Sequence, residues 1–313
     1  MRTSGWMVWS LMLLCMPGLG NATEIAYTSR ELFRIPFGSG RDALGSKIEG
    51  GDFIFPRDFT RDAAGHFYIY DTNKHRIARF SSEGKYEIGY AYPATTGQVF
   101  AHADSHENLW LLISDPVRGM FYGVYDPRGK SLRSGIFSRF DQFRLHLDDA
   151  STLHVILSSS KNPAVAQTYI LDENNLIMKK ENIARPPETH HQVRRNDRTY
   201  FIDQVPDGEK EDSRHVNHIT NEAHHGVADI KGTVIYMTGR GEIYARVGER
   251  EVDVYDVDGS LKGKVQLTGL RSACASIRFD ADGNLYELDG IPDQAGQYSS
   301  DMPGMRLLQW ERH

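Results

Sequence analysis

The side chains in this sequence best suited to chemistry are imidazoles. Its 313 residues include 13 histidines, and two adjacent pairs, His190-His191 and His224-His225, flank a polar stretch that also carries His215, His218 and Glu222. Neutral imidazole is a good ligand for zinc, iron, copper or nickel. Three or four such groups with a carboxylate can hold one divalent transition metal and leave a position open for water. The spacing is not a fixed short pattern such as His-Glu-x-x-His, so these residues converge only if separate elements carry them to one place. The other reading is that they are polar loop residues bonded to water or backbone carbonyls. A second constellation is cationic: Arg57 adjoins Asp58, and Arg144 stands at the matching place further along. Guanidinium groups so placed bind a carboxylate, sulfate or sugar acid through paired hydrogen bonds, or else close an ion pair with Asp58 in a wet channel. No Ser/His/Asp order, phosphate loop or paired-carboxylate motif is present. The net charge of −6 leaves no basic surplus for phosphates, which argues against a nucleic-acid partner.

The elements that must position these residues are strands. From Phe55 to Tyr90 the chain reads as four of them, at Phe55 to Thr60, His66 to Tyr70, Arg76 to Phe80 and Tyr86 to Tyr90. Turns at Asp62-Ala63-Ala64-Gly65, Asp71-Thr72-Asn73 and Ser82-Glu83-Gly84 separate them. The Asp turn followed by an aromatic strand recurs from Asp104, Asp148, Asp229 and Asp280, with a degenerate copy at Arg194 to Tyr200. Six copies at a period near 45 residues predict an all-β, six-bladed β-propeller of four-stranded antiparallel blades over residues 23–313. Met305 to Arg312 leaves the sixth blade one strand short, and Arg30 to Phe37 can supply it, closing the ring from both termini. Gly38 to Gly51 reads as a surface loop, Asp207 to Glu222 as too polar for a strand pair, and Gly239 to Glu251 as an insertion in blade five. In this alignment both histidine pairs precede an innermost strand, in blades four and five, and face the channel. The period-two aromatics Phe67, Tyr68, Tyr70, Trp110, Tyr236 and Tyr286 among others belong to the core between blades.

The run Pro56-x-x-Phe59-x-x-Asp62-x-x-Gly65-His66-Phe67-Tyr68-Ile69-Tyr70-Asp71-x-Asn73-Lys74-His75-Arg76-Ile77-x-x-Phe80 resembles an NHL repeat. That resemblance implies a six-bladed ring and no single activity, since such rings serve as binding scaffolds and as enzymes. Six-bladed rings of the gluconolactonase and paraoxonase kind hold calcium through oxygen ligands. Measured against them, Glu49 and Asp58 are the oxygen ligands here, while Phe100 and Arg144 stand where that family has asparagines.

Residues 1 to 22 read as a secretory signal, with Arg2 before an apolar run from Trp6 to Met16 and small residues ahead of Thr23. The expected mature chain is secreted or periplasmic, has no transmembrane segment and retains one cysteine, Cys274, as a buried small hydrophobe. The leading reading is an exported binding module that takes a protein or small-molecule ligand on one face of the ring. The alternative is a metal-dependent lyase or lactonase-like hydrolase with His190, His191, His224 and His225 at the channel mouth.

Overall fold

The computed structural model describes residues 27–56, 58–94, 99–115, 119–137, 142–147, 153–159, 162–181, 191–195, 198–205, 216–221, 225–238, 241–248, 251–266, 276–279, 284–297 and 299–312. Among them the only helical turn is a 3-10 turn at Thr72–Lys74. Strand β1 (Tyr27–Pro36) leads to a small hairpin, β2 (Lys47–Glu49) and β3 (Asp52–Ile54), and then to six four-stranded antiparallel sheets. The first sheet contains β4 (Phe59–Arg61), β5 (Phe67–Asp71), β6 (Arg76–Phe80) and β7 (Tyr86–Ala91). The second contains β8 (Val99–Ala103), β9 (Leu109–Asp115), β10 (Gly119–Tyr125) and β11 (Ser131–Ile136). The third contains β12 (Gln142–Leu147), β13 (Leu153–Ser159), β14 (Asn162–Asp172) and β15 (Ile177–Glu181). The fourth contains β16 (His191–Arg195), β17 (Arg198–Val205), β18 (Val216–Asn221) and β19 (Gly226–Lys231). The fifth contains β20 (Thr233–Met237), β21 (Glu242–Arg246), β22 (Glu251–Asp256) and β23 (Leu261–Gln266). The sixth joins β24 (Ser276–Phe279), β25 (Leu285–Gly290) and β26 (Gly304–Arg312) to β1.

Alternation along the second strand of the first, second and fifth sheets explains how the sheets stack. In β5, Phe67 and Ile69 enter a cluster with Phe33, Ile35, Tyr286 and Leu307 of the sixth sheet, while Tyr68 and Tyr70 enter one with Leu109 and Leu111 of the second. In β9, Trp110 and Leu112 point the other way, to Val155 and Leu157 of the third sheet. In β21, Ile243 meets Ile219 and Ile230 of the fourth sheet, and Tyr244 meets Leu285 and Trp310 of the sixth. Each such strand is therefore buried on both faces, and each large side chain contributes roughly 1.5–3 kcal/mol on burial. The fold is an all-β propeller.

The first and last strands pair over their whole length, from Tyr27↔Arg312 to Pro36↔Gly304. At Gly304 a Cβ would lie 2.2 Å from the Ile35 carbonyl oxygen, so this residue admits the close approach of β1.

Several sequence expectations shift. The first inner strand starts at Phe59, because Asp58 bonds the Phe59 N–H through its own side chain (2.7 Å). The Gly38 to Gly51 segment is not a plain surface loop: Ala43 and Leu44 are buried, and Lys47–Glu49 opens the hairpin. Asp207 to Glu222 includes β18, and Gly239 to Glu251 is no insertion, because it holds β21. The fifth repeat lies one strand later than the spacing suggested. Asp229 sits in the outer strand β19, and Gly232 makes the corner into the inner strand β20. The true turn runs from Thr238, whose Oγ1 accepts the Glu242 N–H at 3.1 Å where other copies use an Asp carboxylate. Placed there, the turn follows Arg194, the start of the degenerate copy, by 44 residues and precedes Asp280 by 42, and the uneven spacing disappears.

Candidate functional site

The polar half of the first repeat, Asp71 to Arg76, is committed to one task. Asp71, buried at the end of β5, accepts the Gly45 N–H on Oδ1 (2.9 Å) and the Arg76 Nε–H on Oδ2 (2.9 Å). Arg76 then donates to the carbonyls of Arg41 and Ala43, both at 2.6 Å. Asn73 donates to the Gly45 and Ile54 carbonyls at 3.1 and 2.9 Å, and Lys74 to those of Gly40 and Ala43, both at 2.7 Å. Backbone that would otherwise leave acceptors unsatisfied is thus pinned to the first sheet. This fastens residues 40–45 and the base of the hairpin.

The pinned segment forms one wall of an open groove of about 610 Å³. The second wall is β1 at Arg34 to Pro36, and the floor is Phe80 with the stretch from Gly84 to Glu87. Tyr86 lies under Arg41, whose guanidinium carbon is 5.7 Å from the ring centroid, and beside Arg76, at 5.3 Å. Two groove carboxylate–cation pairs are already made: Glu31 holds Arg34 at 2.6 Å, and Glu87 holds Arg79 at 2.7 Å. Arg41, apart from its contact with Tyr86, Lys85 and Asp42 have no ion pair or side-chain hydrogen bond with a described residue. The groove therefore offers two cations without an ion pair and one carboxylate, Asp42, whose charge also acts on Lys74.

The residues singled out from the sequence fall elsewhere. Asp58 forms an ion pair with Arg278 of β24, across the inner strands of the first and sixth sheets, with both side chains part-exposed. Arg57 lies outside the described residues; Arg144 is in β12, opposite Ile156. Glu49 is exposed and paired with Lys47 at 2.8 Å. His190 and His224 lie outside the described residues. His191 opens the inner strand β16, but His225 follows β18 in the turn leading to the outer strand β19, and its N–H binds Asn221 Oδ1 at 3.0 Å. The register sets His191 against Ile202, Ile202 against Ile219 and Tyr200 against Asn221, so His225 lies beyond β17 and β18 from His191 and further along the strand direction. At ~3.3 Å per residue and ~4.8 Å per strand the backbones are on the order of 15 Å apart. The error was the one-strand shift of repeat five, which made β19 look like an innermost strand.

The sequence reading missed a metal-like group at the junction of the second and third sheets. Ligand atoms of Asp104, His106 and Glu173 lie within 4.8 Å of one another. Asp104 is fully used, however: Oδ1 accepts the His106 and Asn108 N–H groups (2.9 and 2.8 Å), and Oδ2 accepts Asn108 Nδ2 and Trp110 Nε1 (3.1 and 2.9 Å). Glu173 accepts the Ser105 N–H at 3.2 Å and also bonds the Ser105 hydroxyl. With its central carboxylate saturated, the group works as a latch between two sheets. His102, on β8 nearby, has its imidazole pushed below the ordinary value by burial, against the opposing pull of Glu173 and Asp104.

No protein-family model matches the chain, and no curated protein matches it in sequence. Solved structures do resemble it. A provisionally assigned oxidoreductase (glucose dehydrogenase) from Thermus thermophilus aligns with a TM-score of 0.50 at 11% identity, over 91% of this chain and 100% of that one. A calcium-binding regucalcin from Agrobacterium tumefaciens aligns at 0.46 and 16% identity, over 90% and 93% of the two chains. A virginiamycin B lyase from Staphylococcus aureus aligns at 0.46 and 10%, over 91% and 99%. At such identities the likeness is one of fold. No helix among the described residues is long and apolar enough to cross a membrane.

Proposed function

We propose that the chain is an exported, NHL-type ligand-binding module in which the six sheets form one six-bladed ring, released to the periplasm or the outside of the cell after loss of residues 1–22. The observation that carries this reading is the pinned groove. Asp71, Asn73, Lys74 and Arg76 hold its wall before any ligand arrives, so little ordering cost falls on binding. Two cations and a carboxylate stand ready in it, and its volume is that of a small-molecule site.

The metal-dependent alternative draws on His190, His191, His224 and His225 at the channel mouth; among the described residues, His191 opens an inner strand and His225 lies in the turn to an outer one. The two readings separate in one experiment on the mature chain, Thr23 to His313, prepared without a histidine tag. A binding module keeps its melting temperature in chelator, contains no stoichiometric transition metal, and is stabilised by one chemical class in a small-molecule panel. Near one equivalent of metal, with chelator lowering the melting temperature and a lactone or ester turned over, would replace this reading with the enzymatic one.

A further inference from the structure

We propose that the groove between β1 and β7 binds a sugar acid, with its carboxylate on Arg41 and Lys85 and its hydroxyls donating to Asp42. The inference deepens the binding-module reading and rests on it. Three features select this class. First, the groove's other charges are spent, Arg34 on Glu31 and Glu87 on Arg79, which leaves Arg41, Lys85 and Asp42 to face a ligand. A neutral ligand would leave two cations without a counter-charge, and a bare dianion would set its second charge against Asp42. A molecule with one carboxylate and several hydroxyl donors satisfies all three groups at once. Second, Arg41 is held at its backbone carbonyl by Arg76 and across the Tyr86 ring, so its guanidinium is aimed before binding. Third, the Tyr86 ring is bracketed by Arg41 and Arg76, which occupies the aromatic surface and disfavours a flat aromatic ligand.

The other places that could bind something carry less. The Asp104 group is saturated by its own backbone and side-chain donors. The Asp58–Arg278 pair neutralises itself. The exposed Ile136 on the edge of the second sheet has nothing to indicate a partner.

The test is calorimetric titration of the full mature chain with D-galacturonate and D-gluconate, alongside D-galactose and succinate. The expected result is saturable 1:1 binding of at least one acid sugar, at least tenfold weaker or absent binding of galactose and succinate, and at least tenfold weakening in Arg41→Gln/Lys85→Gln. A control variant on a distant turn, Arg128→Gln/Lys130→Gln, should bind as the parent does. Both variants should show parental circular dichroism and melting temperature, because neither Arg41 nor Lys85 lends its side-chain charge to the core. Binding of succinate as tight as that of the sugar acids would overturn the class. Sugar-acid binding unchanged in the groove variant would overturn the site and leave the binding-module reading standing. Absence of any sugar-acid heat at millimolar ligand, with another compound stabilising the protein, would also overturn the inference and not that reading.

Discussion

Arg76 gathers Asp71, two backbone carbonyls and the Tyr86 hydroxyl around one buried guanidinium. Replacing it with Met would keep the volume but leave the buried Asp71 carboxylate short of its counter-charge, a change that costs about 3–5 kcal/mol in comparable buried pairs. The expected outcome for Arg76→Met is a lower urea midpoint together with new protease cleavage within residues 38–46, since the wall loses its fasteners. Arg76→Lys should recover only part of this, because an ammonium cannot reproduce the forked donors. His102 supplies a second test. Its imidazole sits below the ordinary value of 6.5, so the folded chain holds that proton less tightly than the unfolded one. Stability from this group is full above about pH 6.5 and falls as the pH drops toward the lowered value. The parent should therefore lose more stability between pH 7 and pH 5 than His102→Gln does. The opposite order would mean that Glu173 and Asp104 outweigh burial.

Among the elements, the turn between the third and fourth strands repeats one device. Gly84, Gly129 and Gly259 have φ of 81°, 81° and 79°, and a Cβ on them would lie 2.3 Å from Phe33, 2.5 Å from Ile88 and 2.4 Å from Ala228 of the preceding sheet. The glycine both turns the chain and lets one sheet lie flat against the next. Gly119 has a similar φ of 86° with open space around it. Gly119→Ala should thus cost about 1 kcal/mol for conformation alone, and Gly259→Ala about 1–3 kcal/mol more for the clash with the Ala228 methyl, which has no rotamer to yield, as read from urea melts. In the third sheet Leu176 occupies the equivalent turn at φ 51° and packs against the neighbouring cluster, trading strain for apolar contact. Devices of this kind were legible in the sequence where their bonds are local. Asp62 caps the His66 N–H at 2.8 Å and the Tyr68 hydroxyl at 3.0 Å, all within seven residues, and the Asp-turn pattern revealed it. The clamp was not legible, because Asp71 and Arg76 reach partners 26 to 35 residues back in a segment that reads as loop. A second Asp–Arg pair escaped for a related reason. Asp289 and Arg306 (2.7 Å) face each other across β25 and β26 as Asp71 and Arg76 do across β5 and β6, but a long connection separates them in sequence. Thr238 in place of Asp hid the fifth turn, and with it the true position of His225.

At the scale of the whole molecule, the pairing of β1 with β26 decides whether the sixth sheet has four strands or three. Gly304→Ala would press a methyl group onto the Ile35 carbonyl, a backbone atom with no rotamer to yield. The expected loss is at least about 2 kcal/mol, with the amides of residues 27–36 exchanging faster than those of β5 or β9. Uniform exchange across all sheets would show instead that the stack opens as one unit. The same pairing fixes a timetable. Among the described strands β1 is made first and its partner β26 last. At roughly 5–20 residues per second the wait lasts on the order of a quarter of a minute to a minute. Through that interval Phe33 and Ile35, later buried against the first sheet, have no partner strand beside them. A chain of this design gains from being kept unfolded until β26 has been made, and a truncation that removes β26 would harm it as much as the loss of β1.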